Sequence, residues 1–113
     1  MNDCIFCKII SGEIPSTLVF ENDYLYAFRD INPLAPVHVV ICPKEHIECC
    51  DDIDESNVNY VTEIFKAIPQ IASNEGLVNG YRVVTNCKED GCQSVKHLHF
   101  HLLGGTKLKE ELN

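Results

Sequence analysis

Residues 97–101 read His-Leu-His-Phe-His, and Leu102-Leu103-Gly104-Gly105 follow. No other stretch limits the possible folds so sharply. A strand turns successive side chains to opposite faces, so His97, His99 and His101 would share one face. Leu98, Phe100 and Leu102 would form the other, an ordinary buried face. At about 3.3 Å per residue the three imidazoles span roughly 13 Å. Histidine ionises near neutral pH and can act as nucleophile, acid, base or ligand. A single strand histidine is commonly a satisfied, half-exposed residue, but three at alternating positions are hard to explain by packing. Either a metal cage or a site that handles protons and phosphate would account for them.

The residues upstream favour phosphate. Asn86, Gly91, Cys92, Gln93 and Ser94 lead into the row, and Asp90-Gly91 marks a turn. A turn rich in Gly, Asn and Ser leaves backbone N–H groups free for anions. Beside the imidazole row, it suggests a cradle for a phosphoryl group.

With 113 residues the chain fits one domain, 1–113, with a modest core. No apolar run approaches the roughly 20 residues of a membrane span, so no membrane partner is expected. The start, Met-Asn-Asp-Cys, has no basic region before a long apolar stretch, and no signal peptide is expected. Seven cysteines, two of them adjacent at Cys49-Cys50, do not suit a secreted disulfide framework. A reducing compartment is expected, the cytoplasm and also the nucleus. The net charge of −8 argues against nucleic-acid backbones as partners. It does not forbid a nucleotide, because a small anion responds mainly to the donors of its own pocket.

Periodicity and turn signals predict the elements. A short helix is expected over 4–10, closed by Ser11-Gly12. Strands over 17–21 and 25–30 flank Asn22-Asp23 as a hairpin. A β-branched run over 38–42 ends at Pro43. The main helix is expected over 55–74, with Val61, Phe65, Ile68 and Ala72 facing the core. Pro69 lies inside it and predicts a kink or break near Phe65. The last strands are expected over 81–86 and 98–103. Together they imply an α+β domain: an antiparallel sheet of about five strands, one long helix and a short N-terminal helix.

Four blocks now carry a resemblance. The first is Gly91-Cys92-Gln93-Ser94-Val95-Lys96-His97-Leu98-His99-Phe100-His101-Leu102-Leu103-Gly104-Gly105. The others begin at Ile5-Phe6-Cys7-Lys8-Ile9-Ile10, at Phe28-Arg29-Asp30-Ile31-Asn32-Pro33 running to His38, and at Ile41-Cys42-Pro43-Lys44-Glu45-His46. Their order and content resemble the histidine triad (HIT) superfamily, in its histidine triad nucleotide-binding (Hint) branch. The resemblance implies the HIT-like fold and a homodimer whose sheets join across a twofold axis.

It also implies chemistry at the α-phosphate of nucleotides. His99 is the implied nucleophile, forming a covalent nucleotidyl-histidine that water then opens. His101 and His38 are implied donors to the phosphate oxygens, and Ser94 the hydroxyl near the leaving group. Asn86, Cys92 and Gln93 fall on the phosphate side. Asp30 is the implied ribose ligand, since two acceptor oxygens suit a cis-diol. Ile5, Phe6, Ile9, Phe28 and Ile31 match the apolar slot for the base. Without the resemblance, Ile5, Phe6, Ile9 and Phe28 would be read as core, Asp30 as the start of a turn, and His38 as a satisfied core histidine. Only the triad stands unaided.

Cys4-Ile5-Phe6-Cys7 needs separate treatment. Redox activity lacks the usual βαβ context. Some Hint-like proteins bind a structural zinc through positions matching Cys4, Cys7, His46 and His97. Buried free thiols are the other explanation. No cofactor is needed for the implied catalysis. Cys42, Cys49, Cys50 and Cys87 are most economically small apolar residues or surface thiols. Two features depart from the family's pattern. Cys92 stands where glycine is common, and the charged tail over 106–113 lacks the aromatic, proline-containing ending of many Hint proteins.

The function expected first is hydrolysis of purine nucleoside 5′-phosphoramidates, such as adenylated amines, with an AMP or GMP derivative as ligand. The alternatives are a diadenosine polyphosphate hydrolase, a nucleotide-binding interaction protein with vestigial activity, and a metalloenzyme with catalytic zinc on His97 and His99.

Overall fold

A computed structural model describes residues 3–112. Five strands form one antiparallel sheet in the order β1-β2-β3-β5-β4. They are β1 (Leu18–Glu21), β2 (Leu25–Arg29), β3 (Val37–Pro43), β4 (Tyr81–Val84) and β5 (Phe100–Gly104). Two helices accompany them, α1 (Ile5–Ile10) and α2 (Val58–Asn74), with a short 3₁₀ turn over Cys50–Asp52. No helix among the described residues is long and apolar enough to cross a membrane.

The period-two pattern sorts the sheet's side chains. Leu25 and Ala27 of β2, Val39 and Ile41 of β3, and Phe100 and Leu102 of β5 join the buried face of α2. That face is Ile64, Ala67, Ile68, Ile71 and Ala72. On the opposite sheet face Phe28, Val40 and Cys42 meet Ile9 of α1, with Phe6, Ile10 and Ile14 packed around them. Two apolar layers therefore enclose the middle strands, and β3 is buried along nearly its whole length.

Several boundaries differ from the sequence expectation, each for a local reason. The main helix begins at Val58, not at 55. Asp54 and Asn57 bend the entry first: the Asp54 carboxylate accepts from the Ser56 N–H and hydroxyl, and Asn57 Oδ1 accepts from the Asp54 N–H. The helix then runs unbroken through Pro69, so the expected break near Phe65 is absent. Pro69 removes one helical hydrogen bond. Both Phe65 and Pro69 are exposed, so water can satisfy the freed Phe65 carbonyl. The apolar residues on either side of Pro69 bury against one sheet.

The last strand begins at Phe100, not at 98. Before it the chain leaves the ladder, and the Leu98 N–H donates to the Ile47 carbonyl at 2.6 Å. β4 stops at Val84, because Thr85 and Asn86 enter the loop that leads to the histidines. α1 begins at Ile5 because Cys4 is its N-cap, its sulfur accepting from the Cys7 N–H at 3.4 Å.

Ile71 is fully buried where α2 meets the sheet. Ile71→Ala should cost about 2–5 kcal/mol and lower the Tm by roughly 10 °C or more. Thermal unfolding checks this, and an unchanged Tm would show that the α2 layer is not the main core.

Candidate active site

His38, His97, His99 and His101 gather on the sheet face that α1 partly covers. The β3–β5 register sets Val40 opposite His101 and Leu103 opposite His38. His38 and His101 are thus diagonal neighbours across two strands, with ring centroids 5.1 Å apart. The His99 ring lies 5.0 Å from that of His101. Phe6 of α1 stands edge-on to His99 at 4.9 Å and rests on Phe28 at 5.5 Å. The three histidines of the motif do not share one strand. Only His101 lies in β5, while His97 and His99 precede it. Alternation survives nonetheless, since Leu98, Phe100 and Leu102 all enter the α2 core.

Backbone partners assign the tautomer of each ring. His99 Nδ1 lies 2.7 Å from the His97 carbonyl, which can only accept, so Nδ1 carries the hydrogen and Nε2 keeps a lone pair. The Leu34 N–H donates to His38 Nδ1 at 3.1 Å, so neutral His38 carries its hydrogen on Nε2. That N–H donates to His101 Nδ1 at 2.9 Å. His101 must then hold its own hydrogen on Nε2. One lone pair, on His99, and one N–H donor, on His101, result on neighbouring rings.

The electrostatics keep these rings neutral. Burial pushes His99 below the ordinary histidine range, opposed by its bond to the His97 carbonyl and by Asp30. Burial lowers His101 to about 4, and the neighbouring His99 and His38 act in the same direction. Burial also lowers His38, against the pull of Asp30. A neutral His99 near pH 7 is what a nitrogen nucleophile requires.

Asp30 lies at the end of β2. Its Oδ1 accepts from the Asn32 N–H at 2.8 Å, and its Oδ2 lies 3.4 Å from His38 Nε2. The residues expected to form the base slot divide into two kinds. Ile9 and Phe28 are buried and form a floor, whereas Ile5 is 46% and Ile31 91% exposed. Phe6 lies between them in exposure and contacts the His99 ring.

The loop ahead of the histidines differs from the open cradle that the sequence suggests. The Cys92 N–H donates to the Glu89 carbonyl and the Gln93 N–H to the Lys88 carbonyl, so neither is free. Asn86 Nδ2 donates to the Gly91 carbonyl at 2.7 Å. Gln93 accepts from the Lys88 N–H and donates to the Glu48 and Val95 carbonyls. Asn86 and Gln93 therefore brace the loop from inside. At Gly91 a Cβ would stand 2.5 Å from the Cys87 carbonyl oxygen, so only glycine fits. Cys92 has φ 60°, in the left-handed region. A side chain in that conformation costs roughly 1–2 kcal/mol. Ser94 is exposed and lines a shallow cleft with Cys4, Ile5 and His46.

Cys4, Cys7, His46 and His97 converge at a second centre. Cys4 Sγ and Cys7 Sγ lie 3.3 and 3.5 Å from His97 Nδ1. His46 Nδ1 is 3.4 Å from Cys7 Sγ and 3.2 Å from His97 Nδ1. A tetrahedral zinc with S and N ligands has edges of about 3.3–3.8 Å, so the donor set fits that ion. His97 Nε2–H donates to the Pro43 carbonyl at 2.9 Å, which leaves Nδ1 as the ligating atom. His99 is not in this cluster, so the structure does not bring His97 and His99 together as a catalytic metal pair.

Sequence reasoning missed the groups that set these states, because most are backbone atoms. The Leu34 N–H and the His97 and Pro43 carbonyls leave no compositional trace. Thr85 was also missed. Its hydroxyl donates to the His99 carbonyl at 2.7 Å and anchors the His99 backbone, but a threonine just beyond a strand gives no signal of that.

Comparison with known proteins agrees with this geometry. The HIT domain family model matches residues 11–108. The chain is similar to a HIT family hydrolase from Clostridium thermocellum, with 46% identity and a TM-score of 0.96 over 100% of this chain and 99% of that one. It is 43% identical to Adenylylsulfatase HINT1 of Arabidopsis thaliana over 92% of this chain and 72% of that protein. It is 45% identical to a 14 kDa zinc-binding protein of Zea mays over 92% of this chain and 83% of that one. The chain belongs to the histidine triad (HIT) family.

Proposed function

We propose that the protein hydrolyses purine nucleoside 5′-phosphoramidates through a covalent nucleotidyl-histidine. The observation that carries this reading is the tautomer pair: an Nε2 lone pair on His99 beside an Nε2–H on His101. His99 Nε2 attacks the α-phosphorus and displaces the amine. The Nδ1–H bond to the His97 carbonyl stabilises the positive charge that the ring gains. His101 Nε2–H donates to a non-bridging phosphate oxygen as negative charge builds there, with His38 holding His101 in the donating tautomer. Water then attacks phosphorus, the P–N bond to His99 breaks, and the nucleoside monophosphate leaves. Ser94, exposed ahead of His97, donates to the departing nitrogen. Asn86, Gln93 and the backbone of Cys92 shape the phosphate side by bracing the loop.

The nucleoside lies across the α1 side of the sheet. Phe28 and Ile9 form its floor, Ile5, Phe6 and Ile31 its walls, and the Asp30 carboxylate accepts the ribose hydroxyls. The printed name of the Arabidopsis relative, an adenylylsulfatase, supports cleavage next to an adenylyl group. The open edge of β4, with Tyr81 exposed on that strand, supports a homodimer joined along that side.

Zinc fits Cys4, Cys7, His46 and His97 as a structural ion. When bound it ties α1 to the loop after β3 and to the strand entry before His99. No catalytic step passes through it, since all four positions are filled by protein.

His99→Ala should lower turnover of an adenosine phosphoramidate by about a thousandfold or more, with AMP affinity within about threefold of the parent. Alkaline denaturing quench, which preserves the acid-labile P–N bond, followed by mass mapping should find the nucleotidyl group on His99 of the parent. Turnover within about tenfold of the parent would overturn the nucleophile assignment. Adenylyl sulfate and a dinucleoside polyphosphate in the same assay read the leaving-group preference.

Elemental analysis of protein purified without chelator should find one zinc per chain. Cys4→Ser with Cys7→Ser should release it and lower the Tm, since such sites contribute on the order of 10 kcal/mol to local order. Activity should fall only in part. Metal-free protein of full stability would contradict the zinc centre.

A further inference from the structure

A second pair of thiols lies apart from the zinc ligands. Cys49 precedes the 3₁₀ turn that follows β3, and Cys87 begins the loop that leads to the histidines. Both are unbridged cysteines. Their sulfurs lie within 4.8 Å of one another and of an Asp51 carboxylate oxygen. Cys49 is 3% exposed and Cys87 half-buried, so Cys87 is the more accessible residue of the two. A cavity of about 470 Å³, lined by Glu48, Cys49, Lys88, Glu89, Gln93 and Lys96, opens beside them. Two further links join the same two segments. Lys88 Nζ lies 2.8 Å from Asp51 Oδ2, and Gln93 Nε2 donates to the Glu48 carbonyl at 2.6 Å. The sulfurs therefore face each other across a contact already held in register by an ion pair and a hydrogen bond.

We propose that Cys49 and Cys87 form a reversible disulfide in exchange with a low-molecular-weight disulfide, and that this bond locks the loop ahead of the histidines onto the turn after β3. The half-exposed Cys87 reacts first. Its thiolate attacks one sulfur of the small disulfide, the S–S bond breaks, and one thiol leaves. Cys49 then attacks the Cys87 sulfur of the mixed disulfide and releases the second thiol. Its proton has an acceptor in place, because the Cys49 thiol donates to Asp52 Oδ2 at 3.4 Å. Two protein thiols are oxidised, one small disulfide is reduced to two thiols, and both protons end on the leaving thiols. The Cys87 thiol and burial push Cys49 up to about 11. That agrees with the order of events, in which Cys49 attacks second and only once Cys87 is activated.

The neighbouring sulfurs are poor competitors. Cys42 is fully buried on the α1 side of the sheet, Cys4 and Cys7 face the two histidines of the zinc centre, and Cys92 is exposed at the loop's far end. Cys50 is adjacent to Cys49 in sequence, and a bond between neighbouring residues strains the peptide that joins them.

The test uses the zinc-loaded full chain incubated with glutathione disulfide. Intact mass should fall by two hydrogens with no added glutathione, and peptide mapping should find a Cys49–Cys87 link. Amide hydrogen exchange over residues 88–93 should slow by about tenfold and return to its starting rate on reduction. Cys49→Ser should stop at a single glutathione on Cys87, and Cys87→Ser should form neither species. A Cys49–Cys50 link, a stable glutathione adduct on the parent, or unchanged exchange in the linked protein would each overturn the proposal. None of these readouts depends on the nucleotide chemistry.

Discussion

The carbonyl of His97 determines which nitrogen of His99 carries a hydrogen, and the chemistry of the site depends on that choice. A ring with its hydrogen on Nδ1 presents a lone pair at Nε2, and a ring with the opposite tautomer would present a donor there instead. The bond is short, at 2.7 Å, and buried, so it competes with no water. His97 is itself held twice, by the Pro43 carbonyl through Nε2 and by the sulfur and imidazole donors around Nδ1. The backbone that orients His99 therefore belongs to a residue whose side chain is fixed from both ends. Thr85 holds the carbonyl of His99 itself. The Cys4, Cys7, His46 and His97 cluster and the His99 ring are separate in space but continuous in backbone, so order at the cluster carries over to His99.

The two layers over the sheet divide the work. The α2 layer is a dry apolar core, and it uses the even positions of the motif, Leu98, Phe100 and Leu102. The α1 layer is thin and short. It covers Phe28, Val40 and Cys42 and leaves the histidine face partly open. Burial is deep enough there to lower His99 and His101, yet Phe6, Ile5 and Ile31 still offer apolar surface. A thicker layer would close the site, and none at all would leave the imidazoles hydrated and free to protonate near pH 6.5.

Much of this was legible in the sequence for physical reasons. Alternation at 97–102 defined two faces, and helical spacing marked Ile68 and Ala72 as buried in α2, although Phe65, expected on the same face, is exposed. What the sequence did not disclose were local hydrogen-bond choices. Asp54 and Asn57 delay the helix by three residues because their side chains bind nearby backbone. Pro69 looked like a break but lies where solvent can replace the lost bond. The loop over 86–94 looked like an open anion cradle because Gly, Asn and Ser allow one. Here Asn86 and Gln93 spend their amides inside the loop instead. Cys92 stood out as a departure from the resemblance, and its φ of 60° is a conformation that favours glycine. The Cys49–Cys87 contact joins residues 38 positions apart, and no spacing rule could have paired them.

The tautomer assignment itself is the most direct point of test. Nitrogen NMR of the zinc-loaded protein, labelled at the histidine side chains, reads the protonation of each ring nitrogen near pH 7. The structure predicts a neutral His99 with hydrogen on Nδ1 and a bare Nε2, and a neutral His101 with hydrogen on Nε2. His99→Asn and His101→Asn assign the resonances. A His99 ring found as the Nε2–H tautomer, or as an imidazolium at that pH, would contradict the account, because no lone pair would then face the phosphate site.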